Sequence, residues 1–236
     1  MRVAVLCEFT GTVRDAFIRR GHEAISCDLL PTESPGPHVQ GDMFDHDWSG
    51  YDLIVAHPPC TYLCSSGLHW NKRVPGRADQ TLEAIKFVKR IWEIPVPRMC
   101  IENPIGCLST QFRKPDQIIQ PHQFGHPESK ATCLWLRGVP VLTKTNILHR
   151  PAWVRCDDCD DFFCTIHKKH VADCECPDIE KWARRKIDPY TDGGRWDNQT
   201  PSGQSKLGPS EDRWAERSKT YLGIAEAMAE QWSNIE

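Results

Sequence analysis

Short apolar runs alternate with amphipathic stretches along the first 140 residues. Val3-Ala4-Val5-Leu6, inside the segment 2–7, is too short for a helix and is apolar on both faces, which predicts a strand buried within a parallel sheet. Residues 23–30 and 51–56 have the same character, as do a run ending at Ile101 and one over 131–136. Between them lie helical patterns. Residues 12–20 form one, closed by Gly21, and residues 81–92 form another with Leu82, Ile85, Val88 and Ile91 on one side. Residues 218–232 regain the period, with Tyr221, Ile224, Ala225 and Met228. Residues 31–40 are a proline-rich loop leading to Gly41-Asp42, and a polar loop runs from Cys60 to about Arg77. Strand–helix alternation implies parallel pairing, so the expected fold is α/β, a doubly wound, mostly parallel sheet.

The pattern breaks after about Thr143. Five of the twelve cysteines fall between Cys156 and Cys176, beside His167 and His170, and residues 188–213 are loop-like in composition. The expected organisation is a core at 1–148, an insert at 149–206 and a returning C-terminal helix at 207–236. The insert is too small to bury a sizeable core and needs a staple. Its cluster reads Cys156-x2-Cys159-x4-Cys164-x2-His167-x2-His170-x3-Cys174-x-Cys176. Paired cysteines and histidines at such spacing point to a structural zinc site rather than disulfides. Cys156, Cys159, Cys174 and Cys176 form one candidate set, a set using Cys164 and His167 is another, and two ions are a third arrangement.

Charge changes the picture little. A net charge of −3 gives no overall attraction to nucleic acid, so any such contact needs a local basic patch. No run approaches the roughly 20 apolar residues of a membrane span. Met1-Arg2-Val3 leads straight into a strand with no leader-like segment, so a cytoplasmic monomer with no membrane partner is expected.

Chemistry concentrates where strands end. His57-Pro58-Pro59-Cys60 follows the 51–56 strand: two prolines stop the ladder and leave a thiol at its carboxyl end, where open α/β sheets bind ligands. Glu102-Asn103-Pro104 ends another strand, and Phe9-Thr10-Gly11 follows the first. Pro59-Cys60 with a downstream Glu102-Asn103, preceded by Phe-x-Gly, resembles the DNA cytosine-C5 methyltransferase family, most closely its small phage-encoded members. Phe124-Gly125-His126-Pro127-Glu128-Ser129-Lys130 is similar to the family's Tyr-Gly-x-Pro-Gln-x-Arg, and Ile224-Ala225-Glu226-Ala227-Met228 to its last helix. Several positions depart from the family pattern: Val13 replaces its second glycine, Thr61 its glutamine, Leu63 its aromatic, Pro104 the valine after Glu-Asn and Lys130 its arginine.

The resemblance implies an S-adenosylmethionine-dependent methyltransferase fold and attack of Cys60 on C6 of a flipped cytosine. It also implies a protonated Glu102 at ring N3, with its pKa raised in a dry pocket. Asn103 then holds the loop, and Lys130 meets the base carbonyl or a phosphate. On the cofactor side it implies Phe9, Thr10, Gly11, Thr12, Leu29, Pro58 and Thr220, with Asp28 on the ribose hydroxyls and Asp42 on the adenine amino group. The insert occupies the place of the family's target-recognition region and implies duplex DNA as partner, in the host cytoplasm if phage-encoded, with a short target. Lys181, Trp182, Arg184, Arg185, Lys186, Arg195, Lys206 and Arg213 are its phosphate-contact candidates, and Trp196 and Gln204 its groove candidates. Amino-group methylation is disfavoured because a cysteine, not an aromatic, follows Pro58-Pro59. An RNA or other cytosine substrate, or a catalytically decayed zinc-dependent DNA-binding module, are the alternatives.

Overall fold

The computed structural model describes residues 1–148, 153–155, 162–164, 169–170, 196–199, 205–207 and 213–233. Seven strands form one sheet: β1 (Arg2–Leu6), β2 (Glu23–Asp28), β3 (His38–Gln40), β4 (Leu53–Ala56), β5 (Arg98–Pro104), β6 (Gln117–Ile119) and β7 (Thr132–Arg137). Their spatial order is β3-β2-β1-β4-β5-β7-β6. Strands β1 to β5 pair in parallel, and β7 runs against both β5 and β6. Strand order reverses between β1 and β4, so the crevice outside their carboxyl ends is the place where such a sheet binds ligands.

Alternation along β1 explains the two layers. Val3 and Val5 belong to one buried cluster, Ala4 and Leu6 to the other, and all four are fully buried. Helices α1 (Thr12–Arg19) and α6 (Leu222–Trp232) cover the first face through Val13, Phe17, Ile224, Met228 and Trp232. Helix α3 (Arg77–Trp92) covers the second through Ile85, Val88 and Ile91. Both faces are therefore dry, which is why these strands read as continuous apolar runs.

Several local expectations need correction. Helix α3 begins at Arg77 rather than residue 81, and Leu82 is 55% exposed while Thr81 takes the buried position. Strand β2 stops at Asp28 rather than residue 30. The proline-rich loop contains β3, and β6 was unforeseen; both have three residues, too few for a period to register. The last helical stretch is two pieces, α5 (Arg213–Ser218) and α6, separated by Lys219, Thr220 and Tyr221; two shorter helices, Ser65–Leu68 and Leu108–Gln111, precede them in the chain. A second, three-stranded antiparallel sheet pairs Trp153–Arg155 with Phe162–Cys164, and the latter with Lys169–His170.

Candidate active site

Cys60 lies four residues past the end of β4, in a loop that β5 holds in place. The side-chain amide of Asn103 donates to the Pro58 carbonyl at 2.7 Å, and Asn103 is 1% exposed. Beyond the thiol, the backbone N–H groups of Ser65 and Cys107 donate to the Ile105 and Leu63 carbonyls at 3.0 and 2.9 Å. Gly106 is required there: a Cβ on it would sit 1.9 Å from the Leu63 oxygen. The Cys60 loop and the exit of β5 are thus one unit.

That unit contains a second thiol. The Cys64 N–H donates to the Cys60 carbonyl at 3.0 Å, a single helical turn that brings the two thiols close enough for each to shift the other's titration. The Cys60 S–H donates to Cys64, which raises the Cys60 pKa, and burial raises it further. The same bond, with help from Ser66 and the Gly67 N–H, lowers Cys64 to about 5. The two thiols therefore titrate as a coupled pair, with the first proton lost at lower pH than from an ordinary thiol. The charges of Lys130, acting on Cys60, and Arg217, acting on Cys64, favour that loss.

Glu102 stands beside the pair on β5. Its side chain is 13% exposed, and His57 Nδ1–H donates to Oε2 at 3.0 Å. Burial alone would raise this carboxyl. The hydrogen bond from His57, the charge of Lys130 and a hydrogen bond from Thr132 outweigh it, and the group sits below its ordinary value. The raised pKa expected of Glu102 is therefore corrected: His57, one residue past β4, keeps the carboxyl ionised. Both His57 Nε2 and Asn103 Oδ1 are buried without a protein hydrogen-bond partner among the described residues.

On the other side of Cys60 a cavity of about 570 Å³ opens at the ends of β1 and β2. Its walls include Cys7, Cys27, Met43 and Phe87, with Asp28, Leu29 and Asp42 from the expected cofactor set and Asp79 and Glu83 from α3. Pro59 and Tyr62, flanking Cys60, close the near wall, so cavity and thiol share a boundary. The volume lies within the roughly 300–1,000 Å³ of sites for drug-sized ligands. The walls are apolar and sulfur-bearing with carboxylates among them; Asp28 and Asp42 each turn one oxygen to a local backbone N–H, of Leu30 and Phe44.

The other expected cofactor residues do not line this cavity. Phe9, Thr10, Gly11 and Thr12 form the entry to α1, where Gly11 adopts φ 74° and its missing Cβ leaves room for the Arg14 guanidinium. Arg14 is fully buried and donates to Asp15, Ser26 and the Ser34 carbonyl, tying the 31–37 loop to α1. The Glu8 carboxylate accepts from the Val13 N–H at 2.6 Å, capping that helix. Pro58 serves instead as the carbonyl held by Asn103. Thr220 is half-buried in the α5–α6 linker, where its neighbour Lys219 pairs with Glu33 at 3.4 Å.

Lys130 reaches the site from the start of β7, and its Nζ donates to the Arg217 carbonyl of α5 at 2.8 Å. The loop that carries it is seated by α6, since the Gly223 N–H donates to His126 Nε2 at 2.9 Å and Tyr221 bonds to Glu128. Trp196, expected in a groove-entering loop, is 6% exposed and stacked on His122 at 4.3 Å, which withdraws it from that role. Sequence reasoning gave no role to His57 or Cys64. The signals were present: a histidine directly before Pro58-Pro59, and a cysteine one helical turn after Cys60.

Of the expected zinc ligands, Cys156, Cys159, His167, Cys174 and Cys176 lie outside the described residues, and Cys164 and His170 are described only as members of paired strands. Lys181, Trp182, Arg184, Arg185, Lys186, Arg195 and Gln204 also lie outside them, while Lys206 lies within them and is exposed, and Arg213 opens α5. Among the described residues no group of three or more metal-binding side chains occurs, and no helix is long and apolar enough to cross a membrane.

No family model and no curated protein matches the chain. Among solved structures it is similar to a prophage-encoded E. coli protein described provisionally as a DNA modification methyltransferase, at 14% identity and a TM-score of 0.35. The match covers 58% of this chain and 46% of that one, so this chain spans less than half of its length. A likeness that low carries no weight for function.

Proposed function

We propose that this chain transfers a methyl group from S-adenosylmethionine to C5 of a cytosine in DNA, with Cys60 as nucleophile. One observation carries the reading. A thiol and a carboxylate are held together by the Asn103–Pro58 bond and the backbone bonds of Ser65 and Cys107, and the thiol loop walls a nucleoside-sized cavity. Bound in that cavity, the cofactor supplies an electrophilic methyl group.

Cys60 Sγ adds to C6 of the base as its proton passes to the Cys64 thiolate, forming the S–C6 bond and making C5 nucleophilic. Glu102 faces the charge that builds on ring N3. It starts as a carboxylate held by His57, so it takes up a proton as the base seats against it and excludes water. C5 then gains the methyl group, the C5 proton passes to water, and the electron pair it leaves expels Sγ as a thiolate, which takes back the proton held by Cys64. Asn103 keeps the loop at its height over β5, and Lys130 holds α5 against the site. A zinc-stapled target-recognition insert over 149–206 completes the proposal, checked by metal content of the purified protein.

The test is incubation with unmethylated duplex DNA and S-adenosylmethionine, followed by nucleoside mass spectrometry, with Cys60→Ala alongside. 5-Methyldeoxycytidine from the wild type alone is expected. A methyl group on an exocyclic amine, or unchanged product with Cys60→Ala, overturns the covalent mechanism. No methylated nucleoside at all, from protein that binds cofactor, moves the reading to RNA or to a binding module.

A further inference from the structure

We infer that the surface over residues 69–77 is a platform for duplex DNA, with Trp70 stacking on the base left uncovered when the target leaves the helix; the inference rests on the reading above for the identity of its partner. Between Thr61 and Ala78 the chain has no carboxylate but carries His69, Lys72, Arg73 and Arg77. In a chain of net charge −3 this is a local reversal of sign, and it begins at the residue after Cys60.

Trp70 is 45% exposed, whereas Trp48, Trp135, Trp196 and Trp232 are all buried. Large exposed aromatics on a firm backbone are unusual away from binding surfaces. This backbone is firm. The Trp70 carbonyl accepts from the N–H groups of Arg73 and Val74 at 2.9 Å each. The Asn71 amide donates to Thr81 Oγ1 at 2.9 Å, and that hydroxyl donates to the Tyr62 carbonyl at 3.0 Å. The turn is therefore fastened both to α3 and to the thiol loop. The Arg73 guanidinium lies 5.6 Å from the Trp70 ring centroid, and the His69 ring 4.8 Å from it.

Charge is divided across the site. The cavity side presents Asp28, Asp42, Asp79 and Glu83. The side facing Cys60 and Cys64 presents Lys130 and Arg217 alongside the Glu102 carboxylate, and the platform adds the exposed Lys72 and Arg73, while Arg77 is engaged with the Thr61 carbonyl. A cationic small molecule suits the first side and a polyanion the second. The ring supplies what a phosphate-binding surface alone lacks, a flat face for a base.

The experiment measures binding of a labelled mixed-sequence duplex by fluorescence anisotropy across a salt series, with S-adenosylhomocysteine present. A second duplex differs only by mispairing one central cytosine. Trp70→Ala is expected to weaken the mispaired duplex by roughly tenfold and the paired one by no more than that, because the ring gains its stack only where the target has left the helix, and leaving costs least at a mispair. The double variant Lys72→Ala/Arg73→Ala is expected to lower the slope of log K against log salt by about two, one for each lost phosphate contact. Unchanged S-adenosylhomocysteine affinity confirms that each variant is folded.

Wild-type affinities and salt slope in the variants overturn the platform, and so does a smaller loss on the mispaired duplex than on the paired one for Trp70→Ala. The two readings fail separately. A wild type that methylates DNA while both variants bind like it removes only the platform. Weakened binding by the variants, beside a wild type that binds DNA without methylating it, supports the platform and removes the methyltransferase.

Discussion

Replacing Cys64 by serine isolates the Cys60 thiol. In the wild type the Cys60–Cys64 bond draws the first proton of the pair down to about 5, against an ordinary thiol value of 9.0. A serine hydroxyl cannot carry that charge, so Cys60 is left with burial and the Glu102 charge raising it and Lys130 lowering it, at 9.0 or above. At pH 7 a thiol with that pKa is about 1% ionised or less, a loss of about a hundredfold in thiolate. The rate of alkylation at one pH is nevertheless a poor test. Thiolate nucleophilicity falls with pKa at a Brønsted slope of about 0.4–0.5, so a thiolate four units more acidic is roughly 40- to 100-fold less reactive. The two effects nearly cancel at neutral pH. Their pH dependence does not cancel. Iodoacetamide labelling at Cys60 and Cys64, followed by fragment-ion mapping from pH 6 to 9, should be flat in the wild type. In Cys64→Ser, labelling of Cys60 should rise about tenfold per pH unit. Methyl transfer by the variant should recover with rising pH in the same way. A flat profile in Cys64→Ser, or a steep one in the wild type, refutes the coupled titration.

Two further outcomes follow from the same loop. Gly106→Ala forces its Cβ against the Leu63 carbonyl and the Cys64 Cα, so the loop must move away from β5. The backbone bonds of Ser65 and Cys107 are then lost or stretched, at roughly 0.5–1.5 kcal/mol each. The expected result is a melting point a few degrees lower, S-adenosylhomocysteine binding within a few-fold of wild type and methyl transfer down at least tenfold; full activity refutes the coupling of loop and strand. His57→Ala removes the donor that does most to lower Glu102, so the carboxyl rises from its depressed value, with Lys130 and Thr132 left to oppose burial. The alkaline limb of kcat/KM is then expected at higher pH than in the wild type, and an unmoved limb excludes Glu102 as the proton donor. Stability follows the same sign. The wild-type carboxyl, held low, stabilises the fold above about pH 4.5 and loses that contribution as pH falls, and in His57→Ala that contribution is smaller.

The sequence by itself determined the layered core. Val3-Ala4-Val5-Leu6, Leu53–Ala56 and Met99-Cys100-Ile101 are apolar at every position because both faces of those strands are covered, and a two-sided burden is legible in one dimension. It also placed Cys60 past a strand end, since Pro58-Pro59 stop the ladder, but it ended the next strand at Ile101, whereas pairing with β7 carries β5 through Glu102, Asn103 and Pro104. Tertiary structure decided what those residues experience. The His57–Glu102 bond joins positions 45 residues apart, and it turns an expected acid into a carboxylate. The cavity is assembled from Cys7, Cys27, Met43 and Phe87, which lie on separate elements and share no local pattern. Trp196 and Trp70 look alike as sequence; packing against His122 buries one, and the turn fastened to α3 leaves the other exposed. Periodicity reports how much of a residue is covered. It does not report by what, and pKa, reactivity and accessibility depend on the identity of that neighbour.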